Sequence, residues 1–240
     1  MTTLLQGDPT EGHTSRVFDH ALAELRLSVV AMGGLVVDQV AAAARALLSG
    51  DMDAARLVLD REDRVNQYEQ RVDHDAFQLI ALHQPVAGDL RMARAISRGT
   101  VEFERAGDEA KKIARFALRL GEGEPQGPVV AVARYLRHMA DLSVDMLRGA
   151  VRALDESDAE MACRVELRDA ELDREFQAAL RQILTLVMED QRYLKTTIDT
   201  VLALKGLERI GDHAKNVAEQ VRFMLSGEDV RREGKEGRRL

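Results

Sequence analysis

Two segments of the chain carry pairs of acidic residues spaced four apart. They are Glu104 with Asp108 and Glu208 with Asp212. On a helix, residues four apart share one face, so the two carboxylates of a pair lie close together and their repulsion costs roughly 0.2–0.5 kcal/mol unless it is neutralised. Since a bound cation would neutralise it, the spacing indicates a metal-binding face.

An earlier segment in each half of the chain has the same spacing, with Glu62 and Asn66 in one half and Asp169 and Asp173 in the other. Counted from the nearest predicted turn at about 1.5 Å per residue, these positions lie level with the first two pairs to within one helical turn. Two antiparallel helical hairpins would therefore create two sets of oxygen ligands: Glu62, Asn66, Glu104 and Asp108 in the first half, and Asp169, Asp173, Glu208 and Asp212 in the second.

The oxygen atoms of these side chains suit hard cations such as Mg²⁺, Mn²⁺, Ca²⁺ or ferric iron, and no thiolate of the kind that softer metals prefer is among them. The residue types do not identify the metal. The other interpretation is that the acids are solvated and paired with neighbouring cations, namely Arg105, Arg209, Lys111 or Lys215. Both interpretations remain open from the sequence.

Catalytic chemistry has less support in the sequence. A ferritin-like di-iron oxidase needs Glu-x-x-His on inward-facing helices, and no histidine near the acids is preceded by glutamate at that spacing. His213 adjoins Asp212, but adjacent helical residues point about 100° apart. No zinc-protease motif, phosphate-binding glycine loop or nucleophile elbow is present. We therefore expect no enzymatic activity and no catalytic residue, with a carboxylate-bridged oxidase or a metal-storage protein as the alternative.

The elements that must position these acids are long helices. Apolar residues recur three or four apart through most of the chain, which is the period of an amphipathic helix. Aromatic residues make up only 4% and prolines number four, a composition typical of packed helices. We predict an all-α fold of six helices, with a capping box of Ser157 and Glu160 opening the fifth.

An internal repeat divides these helices into two sets of three. ERAGDEAKKIA, from Glu104 to Ala114, and ERIGDHAKNVA, from Glu208 to Ala218, agree at seven of eleven positions at an offset of 104, whereas earlier positions match at an offset of 107. The three-residue difference is expected at the corner from Gln84 to Asp89. The sequence predicts two tandem pseudo-symmetric three-helix bundles, divided into a flexible N-terminus (1–13), a first repeat (14–120), a linker (121–128), a second repeat (129–226) and a charged tail (227–240).

Net charge, cysteine content and hydropathy predict which classes of partner and which cellular compartment suit this chain. The formal net charge is −7, so we expect no nucleic-acid partner. Cys163 is the only cysteine, which excludes an intrachain disulfide and fits a reducing compartment. The N-terminus lacks the pattern of a signal peptide, and no stretch approaches the roughly 18 uncharged apolar residues of a membrane span. We expect a cytoplasmic protein.

Glycine occurs inside the last helix of each half, at Gly107 and Gly211. Glycine in a helix interior costs about 1 kcal/mol relative to alanine. Its recurrence at equivalent positions favours close approach of a neighbouring helix over a role in admitting a ligand.

The chain resembles the PhoU family of bacterial phosphate-signalling regulators. The resemblance rests on HTSRVFDHALAELR, MGGLVVDQV, HQPVAGDLRMARAIS, the duplicated ERxGD motif, LKGLERIGDHAKNVAE and GEDVRREG, and runs from about His13 to Gly234. It implies a pair of three-helix bundles related by a pseudo-twofold axis. It also implies a negative regulator that links the ATPase subunit of the phosphate ABC transporter to the sensor histidine kinase PhoR, with a homodimer as the expected assembly.

The resemblance also implies metal binding, because some PhoU proteins bind multinuclear iron or other metals through acid-x-x-x-acid motifs. The ion would be Fe, Mn, Mg or Zn, and no reaction would require it. The first half departs from the motif at Asn66, which removes one charge, so the second half is the better candidate.

A partner surface is expected at the QPVAGDLR corner, including Asp89 and Arg91.

Overall fold

The computed structural model describes residues 16–121, 127–189 and 191–228. These residues form seven α-helices and one 3₁₀ turn, and no strand occurs among them. The helices are α1 (Arg16–Ser49), α2 (Met52–His83), α3 (Ala87–Leu120), α4 (Pro128–Ala131), α5 (Ala133–Glu156), α6 (Ala159–Glu189) and α7 (Leu194–Ser226), with the 3₁₀ turn at Gln191–Tyr193. Six are long, so the all-α prediction of six helices is confirmed, with the one-turn α4 as an addition.

The six long helices form two three-helix bundles. Helices α1, α2 and α3 pack against one another, as do α5, α6 and α7, and the bundles meet where α3 packs on α7 and α1 on α5. A single continuous apolar core runs through both, with Met32, Phe103, Met139 and Leu207 among its buried side chains. Each long helix is therefore stabilised mainly by burial of its apolar face rather than by its intrinsic propensity.

Helices α3 and α7 run antiparallel along the junction of the bundles. Near the start of α3, Arg91 Nε donates to the Met224 carbonyl oxygen at the end of α7 (3.1 Å). Near the end of α3, Arg119 Nη2 donates to Asp199 Oδ1 at the start of α7 (2.9 Å). Each repeat thus contributes its last helix to the junction in an equivalent way, as a pseudo-twofold arrangement requires.

Helix boundaries account for the two repeat offsets. Helices α1 and α2 correspond to α5 and α6 at an offset of 107, whereas α3 corresponds to the 3₁₀ turn and α7 at 104. Residues 84–86, between α2 and α3, therefore have no counterpart in the second repeat. The extra three residues lie at the predicted corner.

The start of α6 differs from the prediction. Asp158 Oδ1 accepts hydrogen bonds from the backbone N–H groups of Glu160 and Met161, both at 2.9 Å. Ser157 instead ends α5 in a left-handed conformation with φ 53°. The predicted capping box of Ser157 and Glu160 is therefore wrong, because the chain reverses at Ser157 and the following aspartate supplies the cap.

Close helix approach explains the repeated glycine. A Cβ atom on Gly211 would overlap Leu172 Cδ2 of α6, and one on Gly107 would lie 3.3 Å from Gln39 Oε1 of α1. Both positions thus require a small residue for packing. The expectation that these glycines admit a neighbouring helix is confirmed.

Helix α1 meets the length and composition criteria of a membrane span, with a mean hydropathy of 1.7 over an 18-residue window. This differs from the expectation that no stretch approaches such a span. More than half of the window (56%) is buried inside the protein. Packing of α1 against α2, α3 and α5 accounts for its apolar composition.

Several predicted boundaries fall outside the described residues. These are the flexible segment 1–13, most of the linker 121–128, of which the structure describes Gly121, Gly127 and Pro128, and the tail 227–240 beyond Glu228. The predicted repeats at 14–120 and 129–226 stay predictions as domain limits.

Candidate functional site: two acidic clusters

The second-repeat cluster consists of Asp169 and Asp173 on α6 and Glu208 and Asp212 on α7. The structure brings the other three within electrostatic range of Asp212. The helices pack closely here because Gly211, beside Asp212, leaves room for a side chain of α6. The predicted grouping across the α6–α7 hairpin is therefore present.

The electrostatics of this cluster show an excess of negative charge. Burial raises the pKa of Asp212 above its ordinary value, and the negative charges of Glu208 and Asp169 raise it further. The positive charge of Lys205 acts in the opposite direction but does not cancel these effects. A cation placed among these oxygens would lower the free energy of the ionised form.

Two lysines on α7 contact the second-repeat cluster. Lys215 Nζ forms an ion pair with Asp169 Oδ2, and Lys205 Nζ pairs with the Glu208 carboxylate. Burial alone would lower the pKa of Lys215, but its hydrogen bond to Asp169 and the surrounding carboxylate charges raise it above its ordinary value. Lys215 is therefore charged at neutral pH and supplies part of the compensating positive charge.

The predicted first-repeat cluster is Glu62 and Asn66 on α2 with Glu104 and Asp108 on α3, and the structure brings Glu62 and Asp108 within electrostatic range of Glu104. Burial raises the pKa of Glu104, and so do the negative charges of Asp108, Glu69 and Glu62. Glu69, seven residues after Glu62 on the same helix face, thus belongs to the cluster although the sequence analysis omitted it. The heptad spacing from Glu62 could have revealed it.

Lys111 is the counterpart of Lys215 in the first repeat. Its Nζ lies 2.6 Å from Glu62 Oε1 and 3.7 Å from Asp108 Oδ1. The two lysines are 104 residues apart, so the duplication includes the compensating cation as well as the acids. Lys111 and Lys215 were the two lysines expected beside the acids. Of the two expected arginines, Arg105 lies near enough to Glu104 for its positive charge to oppose the rise in the pKa of that group, whereas Arg209 pairs with Glu109.

The oxygen atoms of both clusters are of the type that hard cations bind. Glu62 Oε2 is buried without a hydrogen-bond partner, and burial together with neighbouring carboxylate charge raises the pKa of Glu104 and of Asp212. In the part of the chain that the structure describes, however, no three His, Cys, Asp or Glu side chains are arranged at the spacing of a metal site. The lysine contacts place ammonium groups among these oxygens instead.

His213 does not join the second-repeat cluster. Its Nδ1 lies 2.8 Å from Glu102 Oε2 of α3, and Asn216 Nδ2 donates to the same oxygen at 2.9 Å. Burial alone would raise the pKa of Glu102, but these two hydrogen bonds and the charge of Arg105 lower it below its ordinary value. This half-buried group connects the two repeats, and no motif in the sequence predicted it.

The QPVAGDLR corner places Asp89 and Arg91 in the first turns of α3. Arg91 spans the junction of the bundles through its bond to the Met224 carbonyl. Beside these two residues, Leu82, Val86 and Leu90 are exposed. The corner thus combines an apolar surface with charged residues.

Comparison with known proteins adds a family relationship. A family model described as the PhoU domain matches residues 29–117 and 136–221. The chain is 41% identical to the "Phosphate-specific transport system accessory protein PhoU homolog" of Pseudomonas putida, over 92% of this chain and 86% of the relative.

Two crystal structures are similar to the fold. The PhoU structure from Pseudomonas aeruginosa has a TM-score of 0.82 and 38% identity, covering 88% of this chain and all of that one. The phosphate transport system regulatory protein PhoU from Streptococcus pneumoniae has a TM-score of 0.79 and 28% identity, covering 88% of this chain and 98% of that one.

Proposed function

Because the chain belongs to the PhoU family, we propose that it is a regulatory accessory protein of a phosphate transport system. The observation that carries this proposal is that the family domain matches both repeats, 29–117 and 136–221. The relatives are named as accessory or regulatory proteins rather than enzymes, which supports a role without catalysis. The oxidase or metal-storage alternative is not favoured for the same reason.

The more specific role is negative regulation of phosphate-starvation signalling. In this proposal the protein works in the cytoplasm, as a homodimer, and couples the ATPase subunit of the transporter to the sensor histidine kinase PhoR. The two-bundle fold supports such a role because it offers long helical surfaces and separate corners for different partners. Phosphate-starvation genes would then stay off while phosphate is plentiful.

The first corner is the proposed contact surface for one partner. Exposed Leu82 and Val86 supply an apolar area beside Asp89 and Arg91, and residues 84–86 have no counterpart in the second repeat. Loss of binding to the transporter and the kinase is expected for Asp89→Ala combined with Arg91→Ala. Because Arg91 also holds the end of α7, Leu82→Ser provides a second variant that keeps that contact. Unaltered binding by both variants would remove the proposal.

The acidic clusters are the proposed cation sites. Asp169, Asp173, Glu208 and Asp212 would hold a hard cation such as Mn²⁺ or ferric iron, and the ion would supply positive charge that the two lysines provide only in part. Glu62, Asn66, Glu104 and Asp108 would form the weaker site, with one carboxylate fewer. Stoichiometric metal in the dialysed protein, and its loss in a variant with alanine at the four second-repeat positions, is the expected result.

A deletion experiment tests the regulatory role. Chromosomal deletion should derepress a phosphate-starvation reporter in high phosphate, and wild type should restore repression. The variant with alanine at Asp169, Asp173, Glu208 and Asp212 tests whether the cluster is needed. Glu160→Ala with Glu171→Ala is the matched control, since it removes acids of α6 outside the cluster. A reporter that is unchanged on deletion would contradict the proposal.

A further inference from the structure

A groove of about 340 Å³ lies between the second half of α3 and the first half of α7. Ile113, Phe116 and Leu202 form its apolar part. None of the cluster acids lines it, although one of its basic residues, Lys205, pairs with Glu208 of the second-repeat cluster. No sequence motif predicted this groove. Its position on the junction means that both repeats contribute to it.

The groove is cationic although the whole protein is acidic. Five of its eleven lining residues are basic and one is acidic; the basic residues are Lys112, Arg115, Arg119, Lys205 and Arg209, and the acid is Glu109. Counting Asp199 and Glu208, which pair with Arg119 and Lys205, the groove still has five cations against three carboxylates.

Two of these cations converge on one oxygen. Lys112 Nζ and Arg209 Nη1 each lie 2.9 Å from Glu109 Oε1, so the two nitrogens are held near each other around a single negative charge. Arg115 is exposed and has no acidic partner in the part of the chain that the structure describes. The groove therefore retains positive charge that its own acids do not satisfy.

An apolar stripe on α7 leads into the groove. Leu194, Ile198 and Leu202 are spaced four apart, so they share one helix face, and they are 54%, 54% and 60% exposed. The same face continues to Gly206 and Arg209. From Leu194 to Arg209 the face extends about 22 Å along the helix, which is longer than a small-molecule site.

The internal duplication provides a comparison for this face. At the offset of 104, Ile198 and Leu202 correspond to Arg94 and Arg98, and Gly206 corresponds to Glu102. Arg94 lies 4.5 Å from the ring centroid of Phe223, so the end of α7 covers that face.

Most basic residues of the groove also have no basic counterpart in the other repeat. The positions equivalent to Lys112, Arg115, Arg119 and Lys205 are Asn216, Glu219, Phe223 and Val101, and only Arg209 has a basic counterpart, Arg105. Glu102 extends a carboxylate to His213 and Asn216 where Gly206 has no side chain. Exposed apolar residues and surplus positive charge therefore coincide in only one of the two equivalent places.

We infer that this α3–α7 groove, together with the stripe Leu194, Ile198 and Leu202, is a docking site for an acidic amphipathic helix of a partner protein. Apolar side chains spaced three or four apart would contact the stripe and the groove floor, and carboxylates on the flanks would contact the basic residues. This is helix-in-groove recognition. Concavity between two helices suits a third helix, since packed helix axes lie about 8–10 Å apart.

Fluorescence anisotropy with a synthetic probe tests the inference on the full chain. The probe is a labelled helical peptide of about 16 residues, long enough to follow α7 from Leu194 to Arg209, with leucines four apart and glutamates between them. Saturable binding is expected, and Arg115→Glu with Leu202→Asp should weaken it at least about tenfold. Arg98→Glu, the same charge reversal on an exposed arginine of α3 outside the groove, should leave it unchanged.

Several results would overturn the inference. They are no binding, equal binding by the double variant, and equal binding of a peptide with lysine in place of glutamate. A concentration-dependent dimer that Leu202→Asp dissociates would assign the stripe to a second copy of this chain. Binding confined to phosphatidylglycerol vesicles would assign the face to a membrane surface. The probe does not depend on the transporter or the kinase, so failure here is distinguishable from failure of the reporter experiment.

Discussion

Replacing Lys215 with methionine tests the charge balance of the second-repeat cluster directly. The substitution removes the ammonium group and keeps a long apolar side chain. The side chains of Lys215 and Asp169 are 35% and 13% exposed, so the pair lies between a surface ion pair, worth about 0–1 kcal/mol, and a buried pair, whose disruption costs about 3–5 kcal/mol. We therefore expect Lys215→Met to lower the free energy of unfolding by about 1–3 kcal/mol at pH 7.5.

The deficit should depend on pH. Burial and neighbouring carboxylates raise the pKa of Asp212 in the folded state, so the stability associated with its protonated form is present at low pH and is lost as the pH rises through the folded-state pKa. In the Lys215→Met variant, the lysine charge no longer offsets the repulsion between ionised Asp212 and the neighbouring carboxylates. The difference between wild type and variant should consequently be smaller at pH 4 than at pH 7.5.

Urea unfolding followed by circular dichroism at both pH values measures these differences. Lys195→Met is the matched control, because Lys195 is an exposed lysine of the same helix and has no ion pair among the described residues; it should change stability by less than about 0.5 kcal/mol. Adding Asp169→Asn to Lys215→Met should recover part of the loss, since the unpaired carboxylate is removed. Equal stabilities of the Lys215 and Lys195 variants at pH 7.5 would refute the reasoning.

Four further substitutions have expected outcomes that unfolding curves can check. Asp212→Asn should raise stability at pH 7.5, because the raised pKa of Asp212 means that its ionised form opposes folding, and the gain should vanish in acid; a loss at pH 7.5 would contradict this. Gly34→Ala should stabilise by about 0.5–1 kcal/mol, since nothing lies within 4 Å of its Cβ position. Gly33→Ala should instead have a net destabilising effect, because its Cβ would lie 2.5 Å from a methyl of α5 and overpacking costs about 1–3 kcal/mol; the same sign for both glycines would exclude this account. Glu102→Gln should lower stability near pH 7 by about 0.5–1.5 kcal/mol through a weaker contact with His213. Because the pKa of Glu102 is lowered in the folded state, this loss should disappear as the pH falls through that pKa, and a constant difference would count against it.

Helical periodicity and the repeat were sufficient to predict the fold and the two acidic groupings. Counting residues from the corners placed Asp169 and Asp173 level with Glu208 and Asp212 because packed antiparallel helices have the same rise per residue. The same argument grouped Glu62 with Glu104 in the first repeat. Metal occupancy of either cluster stays a prediction.

The cation partners were predicted only in part. Lys111 and Lys215 lie one turn from the last acid of their clusters and therefore share its face, close to Asp108 and Asp212 respectively. Arg209 follows Glu208 directly and points about 100° away, where it reaches Glu109 across the junction. Such contacts depend on how the two bundles meet, which helical periodicity within one repeat does not specify.

The antiparallel junction of α3 and α7 also fixes the separation of the two corners. The α2–α3 corner lies beside the end of α7, and the α6–α7 corner lies beside the end of α3. The two corners are therefore at opposite ends of a rod-shaped pair of bundles. Since α3 has 34 residues, the rod is about 50 Å long. Two proteins bound at opposite ends would have contact sites about 50 Å apart, so coupling of these sites through this protein would run along the helices, for example as a shift or rotation of α3 against α7.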